Sequence, residues 1–286
     1  MKSNILRHAK NSLAYLSKDI FVLNNPRQLV KQNQVNLHWF SMKRKDGTEN
    51  LGDWLSTVIY ENMLRMNNIK PDQKVKHTKH IYSVGSILGF GYHNATIWGS
   101  GLLSDQHTGR LRNVSLDVRS VRGPETRRVL IDKGFKCPNV YGDPAILLPF
   151  FYKPNYKQKN RKYSIILHYS SLYKDEVSKD ESLNILTKDY KSFIDTIVQS
   201  EVVISSSLHG IILAEAYGVP AILLNDRKSF DLFKYKDYYY STNRTTFNVA
   251  NTIEEALVLE PNQLPNLKKL QEGVIKAFPR DLWIEK

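Results

Sequence analysis

Residues 203–224, VISSSLHGIILAEAYGVPAILL, give the clearest indication of the fold. Three serines and the tripeptide LHG separate an apolar run from a helical pattern that ends at Gly218. A valine and a proline then precede a second apolar run at 221–224. A strand, a polar turn, a helix, a glycine stop and a second strand in this order predict a βαβ unit.

The polar turn of this unit is a candidate ligand site. Ligands of open α/β sheets bind outside the carboxyl ends of the strands, which is where Ser205, Ser206 and Ser207 follow the first apolar run. Their hydroxyls, the N–H groups at the start of the helix and the imidazole of His209 could together meet an anion. The alternative is purely structural, with the serines capping the helix and His209 packing locally.

Strand-like and helix-like segments alternate along the rest of the chain, which predicts a parallel sheet with crossover helices. We expect an α/β protein with two Rossmann-like, doubly wound lobes, residues 1–150 on the acceptor side and residues 164–286 on the donor side. The basic segment 151–163, which is short of apolar residues, is the expected linker. Predicted strands cover 35–40, 80–84, 95–98, 114–118, 140–141 and 163–169, and predicted helices cover 54–66, 125–133, 186–199, 252–258 and 264–278.

Charge and composition restrict the classes of partner. The formal net charge of +13 over 286 residues suggests a polyanionic partner, namely nucleic acid, an anionic membrane surface or a phosphorylated substrate. We expect no nucleic-acid partner, since no zinc-finger, RRM or KH pattern accompanies the basic residues. Apolar positions within 1–34 have roughly helical spacing, and such a helix could pack on its own domain or lie on a membrane surface.

Cysteine usage and the apolar runs bear on location. Cys137 is the only cysteine, so no disulfide framework is predicted, which fits a reducing compartment. No apolar run approaches the roughly 18–20 residues of a spanning helix, and the N-terminus lacks the pattern of a signal peptide. We expect a cytoplasmic protein, with peripheral association at the inner face of the cell membrane left open.

Glycine- and serine-containing turns follow several predicted strands in the first half of the chain. Such glycines allow the backbone to approach a phosphate or a sugar closely, although strand-to-helix turns use glycine and serine anyway. The pattern includes neither a Walker loop nor GxGxxG, so it supports neither a P-loop nor a dinucleotide site. The candidate substrate-binding residues from these turns are Asn50, Gly52, Asp53, Gly99 and Ser100.

Arginine and histidine supply further candidates. Arg122, between Val121 and Gly123–Pro124, is a candidate ligand for a carboxylate or a phosphate, because a forked guanidinium suits both groups. His168 follows an apolar strand and, like His209, could exchange a proton near neutral pH. Asp143 fits a turn or a helix cap at least as well as a chemical role. No spacing of metal ligands occurs, and no metal is predicted.

Taken together, these motifs resemble those of the polysaccharide pyruvyl transferase family. The resemblance covers about residues 38–225, and the pairing of VRGPET and GDPAILLP with SLHG and AYGVP is specific. It rests, in chain order, on NLGDWLS, SVGSIL, TIWGSG, VRSVRGPETRRVLIDKGF, YGDPAILLP, IILHYS and SSSLHGIILAEAYGVPAI.

The resemblance implies a two-lobed fold like that of the B-type glycosyltransferases. It also implies transfer of a pyruvyl group from phosphoenolpyruvate to two hydroxyls of one sugar, which forms a cyclic ketal and releases phosphate. The sugar would belong to a surface polysaccharide or exopolysaccharide, or to its lipid-linked precursor, and no cofactor would be needed. His209 matches the family's proposed acid/base histidine, and Arg122 matches a donor-binding arginine. Ser207 stands where many members carry an arginine, so Arg122 or another basic group would have to supply that charge.

The hypothesis that follows gives each candidate a role. His209 is the general acid that protonates the methylene carbon of the donor, and His168 is a second candidate for taking a proton from the acceptor. Arg122 grips the donor, the serines at 205–207 add hydrogen bonds, and the turns of the first lobe line the other side of the cleft. The alternative enzyme is a nucleotide-sugar glycosyltransferase of the same shape, with Glu215 as a ribose ligand. A non-enzymatic alternative is a basic carbohydrate- or membrane-binding protein.

Overall fold

The computed structural model describes residues 30–40, 47–90, 94–108, 111, 114–155, 158–171, 173, 175–226 and 231–284. Most of the segment with the predicted N-terminal helix therefore lies outside the described residues. Within the described ranges the chain forms two four-stranded parallel sheets, in the strand orders β1-β2-β3-β4 and β5-β6-β7-β8. The predicted fold class, α/β with two Rossmann-like lobes, is confirmed.

The first sheet follows the predicted alternation of strands and helices. Its strands and helices are β1 (Val35–His38), α1 (Leu51–Met66), β2 (Lys79–Tyr82), β3 (Ala95–Trp98), β4 (Leu116–Ser120), α2 (Pro124–Asp132) and α3 (Leu148–Phe151). Helix α1 begins three residues before the predicted start at residue 54. The reason is a cap, since Asn50 Oδ1 accepts the N–H groups of Gly52 at 3.0 Å and Asp53 at 3.4 Å.

The second sheet contains the βαβ unit from which the fold was inferred. Its elements are β5 (Arg161–Ile166), α4 (Tyr190–Val198), β6 (Ser200–Ser205), α5 (Leu208–Ala216), β7 (Ala221–Leu224), α6 (Phe233–Ser241), β8 (Val249–Ala250), α7 (Ile253–Val258) and α8 (Lys268–Lys276). Strand β7 covers the predicted residues, whereas β5 begins inside the predicted linker. Helix α5 is buried along almost its whole length, because β6 and β7 cover one side and the first lobe covers another.

The C-terminal segment of the chain returns to the first lobe. The indole Nε1 of Trp98 donates a hydrogen bond to the carbonyl of Val274 at 2.8 Å, and Gln271 Nε2 donates to the carbonyl of Ile146 at 2.9 Å. At the surface, Arg119 forms an ion pair with Asp281 at 2.7 Å, which holds the pKa of Asp281 below its usual range. Through these contacts, the residues from the start of α8 onward pack on the first lobe. The division at 150 and 164 stays a prediction.

From the sequence, the tyrosines at 238–240 could line a sugar site or lie in an exposed loop or strand. The structure places them in helix α6. Tyr238 and Tyr239 are buried, and the Tyr238 hydroxyl donates to Glu215 Oε2 at 2.7 Å. In the described part of the chain, no helix is long and apolar enough to cross a membrane.

Candidate active site

A cavity of about 180 Å³ lies between the two lobes, next to the carboxyl ends of strands from both sheets. It brings together five of the predicted site residues, of which Asn50 and Asp53 come from the first lobe. His168, Ser207 and His209 come from the second lobe. The other lining residues are Phe40, Ser86, Ile87, Leu103, Tyr169, Leu208 and Lys234.

His209 lies in the first turn of α5 and is paired with a carboxylate of the first lobe. Its Nε2 is 3.5 Å from Asp143 Oδ2, which is within ion-pair range but long for a hydrogen bond. Asp143 is fully buried, and its other oxygen, Oδ1, accepts the N–H of Ala145 at 3.0 Å. Both facing atoms, Nε2 and Oδ2, are buried without a hydrogen-bond partner among the described residues. Buried polar atoms rarely stay unpaired, so this contact is a candidate for chemistry.

Gly52 determines how close the His209 ring comes to the first lobe. A Cβ at position 52 would lie 2.0 Å from His209 Nδ1, which no side chain tolerates. The glycine of the NLGD turn therefore makes room for the imidazole at the start of α1. The sequence suggested a close approach of a ligand here, and the structure shows a close approach of a catalytic candidate.

The three serines before α5 have different positions. Ser205 Oγ donates to the carbonyl of Ile166 at 2.8 Å and accepts the N–H of Ser207 at 3.0 Å. Ser206 Oγ accepts the backbone N–H of His168 at 2.9 Å. Ser207 lines the cavity at the N-cap of α5, and its hydroxyl makes no helix-capping hydrogen bond. Ser205 and Ser206 thus build the turn, and Ser207 is the one of the three that lines the cavity.

The predicted donor ligand Arg122 lies behind the cavity and is not among the lining residues. Its side chain is fully buried, and all three guanidinium nitrogens donate hydrogen bonds. Nε donates to Asp237 Oδ2 at 3.0 Å, Nη1 to Ser86 Oγ at 2.6 Å and Nη2 to the carbonyl of Leu102 at 2.6 Å. Direct contact between Arg122 and a donor stays a prediction, and the observed contacts fit a residue that positions Ser86.

Asp237, the partner of Arg122, comes from α6 in the second lobe. Its carboxylate also accepts the N–H of Thr126 at 2.9 Å and the hydroxyl of Thr126 at 2.6 Å. Burial raises the pKa of Asp237, while Arg122 and Thr126 oppose that shift. The Arg122–Asp237 pair is therefore a fully hydrogen-bonded contact between the lobes.

The glycines of the GSG and RGP motifs leave room for this pair. A Cβ at Gly101 would lie 2.4 Å from Arg122 Cζ, and one at Gly123 would lie 1.8 Å from the carbonyl oxygen of Asp237. Ser100 Oγ donates to the carbonyl of Gly85 at 2.9 Å, and Gly99 packs against Pro144 with a φ of +81°. Gly99 and Ser100 are thus not brought into the cavity.

His168 reaches the cavity from the end of β5. Its Nδ1 lies 2.7 Å from Ser170 Oγ, and its ring packs on Tyr169 with 4.3 Å between the ring centroids. These contacts orient the ring beside Ser207 and His209, and a role in proton transfer stays a prediction.

Sequence reasoning missed two residues of this region, the carboxylate of Asp143 beside His209 and the ammonium of Lys234 in the cavity wall. The GDP motif pointed to Asp143, but a cap was an equally good interpretation, and Asp143 is indeed a cap as well. Nothing in the sequence FKYKDYYY distinguishes Lys234 from its neighbours. In the described ranges, no three His, Cys, Asp or Glu side chains form a metal-binding group.

Glu215, the ribose ligand of the alternative hypothesis, lies outside the lining of this cavity. Its fully buried side chain accepts two hydrogen bonds from Arg244, at 2.6 Å and 2.7 Å, and a third from Tyr238. These contacts explain Glu215 as a structural residue that joins α5 to α6 and to the segment after it.

Comparison with known proteins adds independent findings. A family model described as polysaccharide pyruvyl transferase matches residues 46–227. An uncharacterised protein of Acanthamoeba polyphaga mimivirus is 30% identical over 204 residues, which is 66% of this chain and 67% of the viral protein. The succinoglycan biosynthesis protein ExoV of Rhizobium meliloti (strain 1021) is 29% identical over 164 residues, 56% of this chain and 46% of ExoV.

The match to ExoV thus spans less than half of that relative. A solved structure of a functionally uncharacterised protein from Klebsiella pneumoniae subsp. pneumoniae NTUH-K2044 is similar in fold, with a TM-score of 0.52 at 12% identity. That likeness covers 82% of this chain and 98% of the Klebsiella chain.

Proposed function

We propose that this protein, which belongs to the polysaccharide pyruvyl transferase family, uses phosphoenolpyruvate to form a cyclic pyruvate ketal on a sugar. Family membership indicates a transferase and pyruvyl transfer to a polysaccharide in general. The donor, the ketal product and the acceptor, a surface polysaccharide or exopolysaccharide or its lipid-linked precursor, are part of the proposal. The observation that carries it is an imidazole, paired with a buried carboxylate, in the wall of a small cavity between the lobes.

The size of the cavity supports a small donor. Its volume of about 180 Å³ lies below the roughly 300–1,000 Å³ typical of pockets for drug-sized ligands. Phosphoenolpyruvate has ten heavy atoms, whereas a sugar nucleotide is several times larger. Glu215, the ribose ligand of the glycosyltransferase hypothesis, is ion-paired with Arg244. Both observations favour the pyruvyl donor over a nucleotide-sugar donor.

The negative charge of the donor suits the N-terminus of α5. Phosphoenolpyruvate carries about three negative charges, on its carboxylate and its phosphate. The N–H groups at the start of α5 and the hydroxyl of Ser207 are donors at the cavity, and a helix N-terminus favours an anion. Asn50 lies at the start of α1 across the same cavity. The first N–H groups of α1 are already bonded to Ile185 and to Asn50, so the N-terminus of α5 is the anion site in this proposal.

The reaction needs one proton delivered to carbon and two protons removed from the sugar. The His209 imidazolium protonates the methylene carbon, and the first sugar hydroxyl attacks the adjacent carbon and loses its proton. The C–O bond to phosphate then breaks, and the second hydroxyl closes the ring and loses its proton. One of these protons restores His209, and the other leaves with phosphate as HPO₄²⁻. Asp143 on one edge of the ring and Gly52 on the other hold its orientation.

His168 and Asp53 are the candidates for taking the protons of the acceptor hydroxyls before these protons pass to His209 and to phosphate. Both line the cavity, His168 from the second lobe and Asp53 from the first turn of α1. A base of this kind must come within hydrogen-bond reach of a hydroxyl of the bound acceptor.

A donor screen tests the proposal. Thermal stability of the purified protein is measured with phosphoenolpyruvate and with UDP-, GDP- and CMP-sugars, and we expect stabilisation by phosphoenolpyruvate alone. Phosphate release from phosphoenolpyruvate should then depend on an added glycan acceptor, and NMR of the product should show the methyl signal of a ketal. Stabilisation by a sugar nucleotide with no response to phosphoenolpyruvate would instead establish the glycosyltransferase alternative.

A further inference from the structure

Helix α6 places two charged residues of the second lobe against the first lobe. Lys234 and Asp237 are three residues apart and therefore lie on the same face of the helix. Asp237 is fully buried against Arg122 and Thr126 of the first lobe. Lys234, one turn earlier in the helix, lines the cavity. One face of α6 thus forms both the contact between the lobes and part of the cavity wall.

The position of Lys234 is fixed from both sides. On one side Asp237 accepts three hydrogen bonds from Arg122 and Thr126, so α6 cannot rotate without breaking them. On the other side the hydroxyl of Tyr235 donates to the carbonyl of Ser206 at 2.8 Å, which ties α6 to the turn before α5. These anchors hold the helix next to the N-terminus of α5.

The ammonium of Lys234 is buried beside the cavity. The residue is 6% exposed, which is rare for a lysine, and its Nζ lies 4.9 Å from the centre of the Tyr235 ring. Among the described residues that line the cavity, it is the only lysine or arginine. Asp53 lines the same cavity, and Asp226 lies with Lys234 and His168 in an adjoining small pocket. Helix α6 thus contributes one basic side chain to the wall of the cavity.

We infer that Lys234 binds an anionic group of the donor, as a specificity-determining residue that complements the N-terminus of α5. The inference rests on the proposed function, because the donor it names is phosphoenolpyruvate. An ammonium forms strong charge-assisted hydrogen bonds to phosphate and carboxylate oxygens. Arg122 lies outside the cavity lining, and among the described lining residues Lys234 is the one lysine or arginine within reach of a bound donor.

The test compares K234Q and K234R with K236Q, a matched control on the exposed side of the same helix. Phosphate release with an acceptor is measured against phosphoenolpyruvate concentration, together with thermal stabilisation by phosphoenolpyruvate and by inorganic phosphate. For K234Q we expect KM for phosphoenolpyruvate to rise about 10–100-fold, with a smaller change in kcat, and both stabilisations to be lost. K234R should recover most of the affinity, and K236Q should behave as the wild type.

A second measurement uses the wild-type protein, so it does not depend on the folding of a variant. Reductive methylation of lysines is followed by mass spectrometry, and phosphoenolpyruvate should reduce labelling of Lys234 and leave Lys236 unchanged. If the wild type responds to phosphoenolpyruvate while K234Q keeps its KM, or while Lys234 labelling is unaffected, the inference is wrong and the proposed function stands. If the wild type neither binds phosphoenolpyruvate nor releases phosphate from it, the proposed function fails, and the inference fails with it.

Discussion

Two buried pairs join the lobes of this protein, and they differ in how completely they are hydrogen-bonded. Arg122 and Asp237 are 3.0 Å apart, both are inaccessible to solvent, and each makes further hydrogen bonds. His209 and Asp143 are 3.5 Å apart, beside the cavity, and their facing atoms have no hydrogen-bond partner among the described residues. The first pair is a fully hydrogen-bonded structural contact. Within the described part of the chain, the second leaves two buried polar atoms without a hydrogen bond, next to a histidine whose side chain lines the cavity.

The two pairs show that charge and burial do not by themselves identify a functional residue. The sequence marks Arg122 strongly, because it lies in VRGP, yet its guanidinium is fully used within the protein. A fully hydrogen-bonded buried ion pair costs much to break and provides no free group for chemistry. Asp143 is marked weakly, yet it has an unused oxygen next to a histidine of the cavity. Unsatisfied hydrogen-bonding capacity at a cavity is the better indicator.

The largest effect is expected from H209A. Loss of a general acid should lower kcat for phosphate release about 10²–10⁴-fold. The control is H77A, at an exposed histidine that is not among the residues lining this cavity, and it should keep wild-type activity. Turnover of H209A within about threefold of the wild type would show that His209 is not the acid.

The D237N substitution should affect stability more than chemistry. It leaves the buried charge of Arg122 without its counter-charge and places an amide where Thr126 and Arg122 need an acceptor. We expect the free energy of unfolding in urea to fall by about 3–5 kcal/mol. D72N, at an exposed position between α1 and β2, should change it by less than about 0.5 kcal/mol. A loss below about 1 kcal/mol for D237N would contradict the structural role of the pair.

The matching substitution at the other pair, D143N, should do the reverse. The asparagine oxygen can still accept the N–H of Ala145, while its amide faces His209 and disturbs the orientation of the ring. We expect kcat to fall about 10²–10³-fold, KM for phosphoenolpyruvate to stay within about threefold, and the free energy of unfolding to change by about 1 kcal/mol or less. Unchanged kcat would reduce Asp143 to a helix cap.

A smaller effect is expected from G52A, which displaces the His209 ring without mutating either His209 or Asp143. The new Cβ would lie 2.0 Å from Nδ1, so the imidazole must leave its present position beside Asp143. We expect kcat to fall about 10–100-fold, since a displacement near 1 Å is enough to lose that much. G273A is the matched control, because a Cβ at that helical position has no neighbour closer than 3.6 Å. Equal activities of the two variants would show that the ring position is not critical.

The local elements were largely predictable. Residues 203–224 form the expected βαβ unit, and the strands at 95–98 and 221–224 have the predicted bounds, because their apolar runs end at glycine or at a polar turn. The tyrosine-rich helix α6 was not recognised. In FKYKDYYY the aromatic residues are adjacent and not spaced by three or four, so no helical period is visible. Its burial comes from contacts with α2 and with Glu215, which lie far away along the chain.

The fold class and the family motifs could be read from the chain alone, because hydrophobic period, turn residues and strand-end positions depend on neighbours along the chain. Those same rules placed five of the predicted residues around one cavity, since strand ends of a parallel sheet meet at a common edge. The positions of the charged groups depend on contacts between the lobes and could not be read from the chain. Asp143 lies beside His209, Arg122 is bonded to Asp237 outside the cavity lining, and Lys234 lines the cavity, because the packing of the two lobes brings together residues that are far apart in sequence.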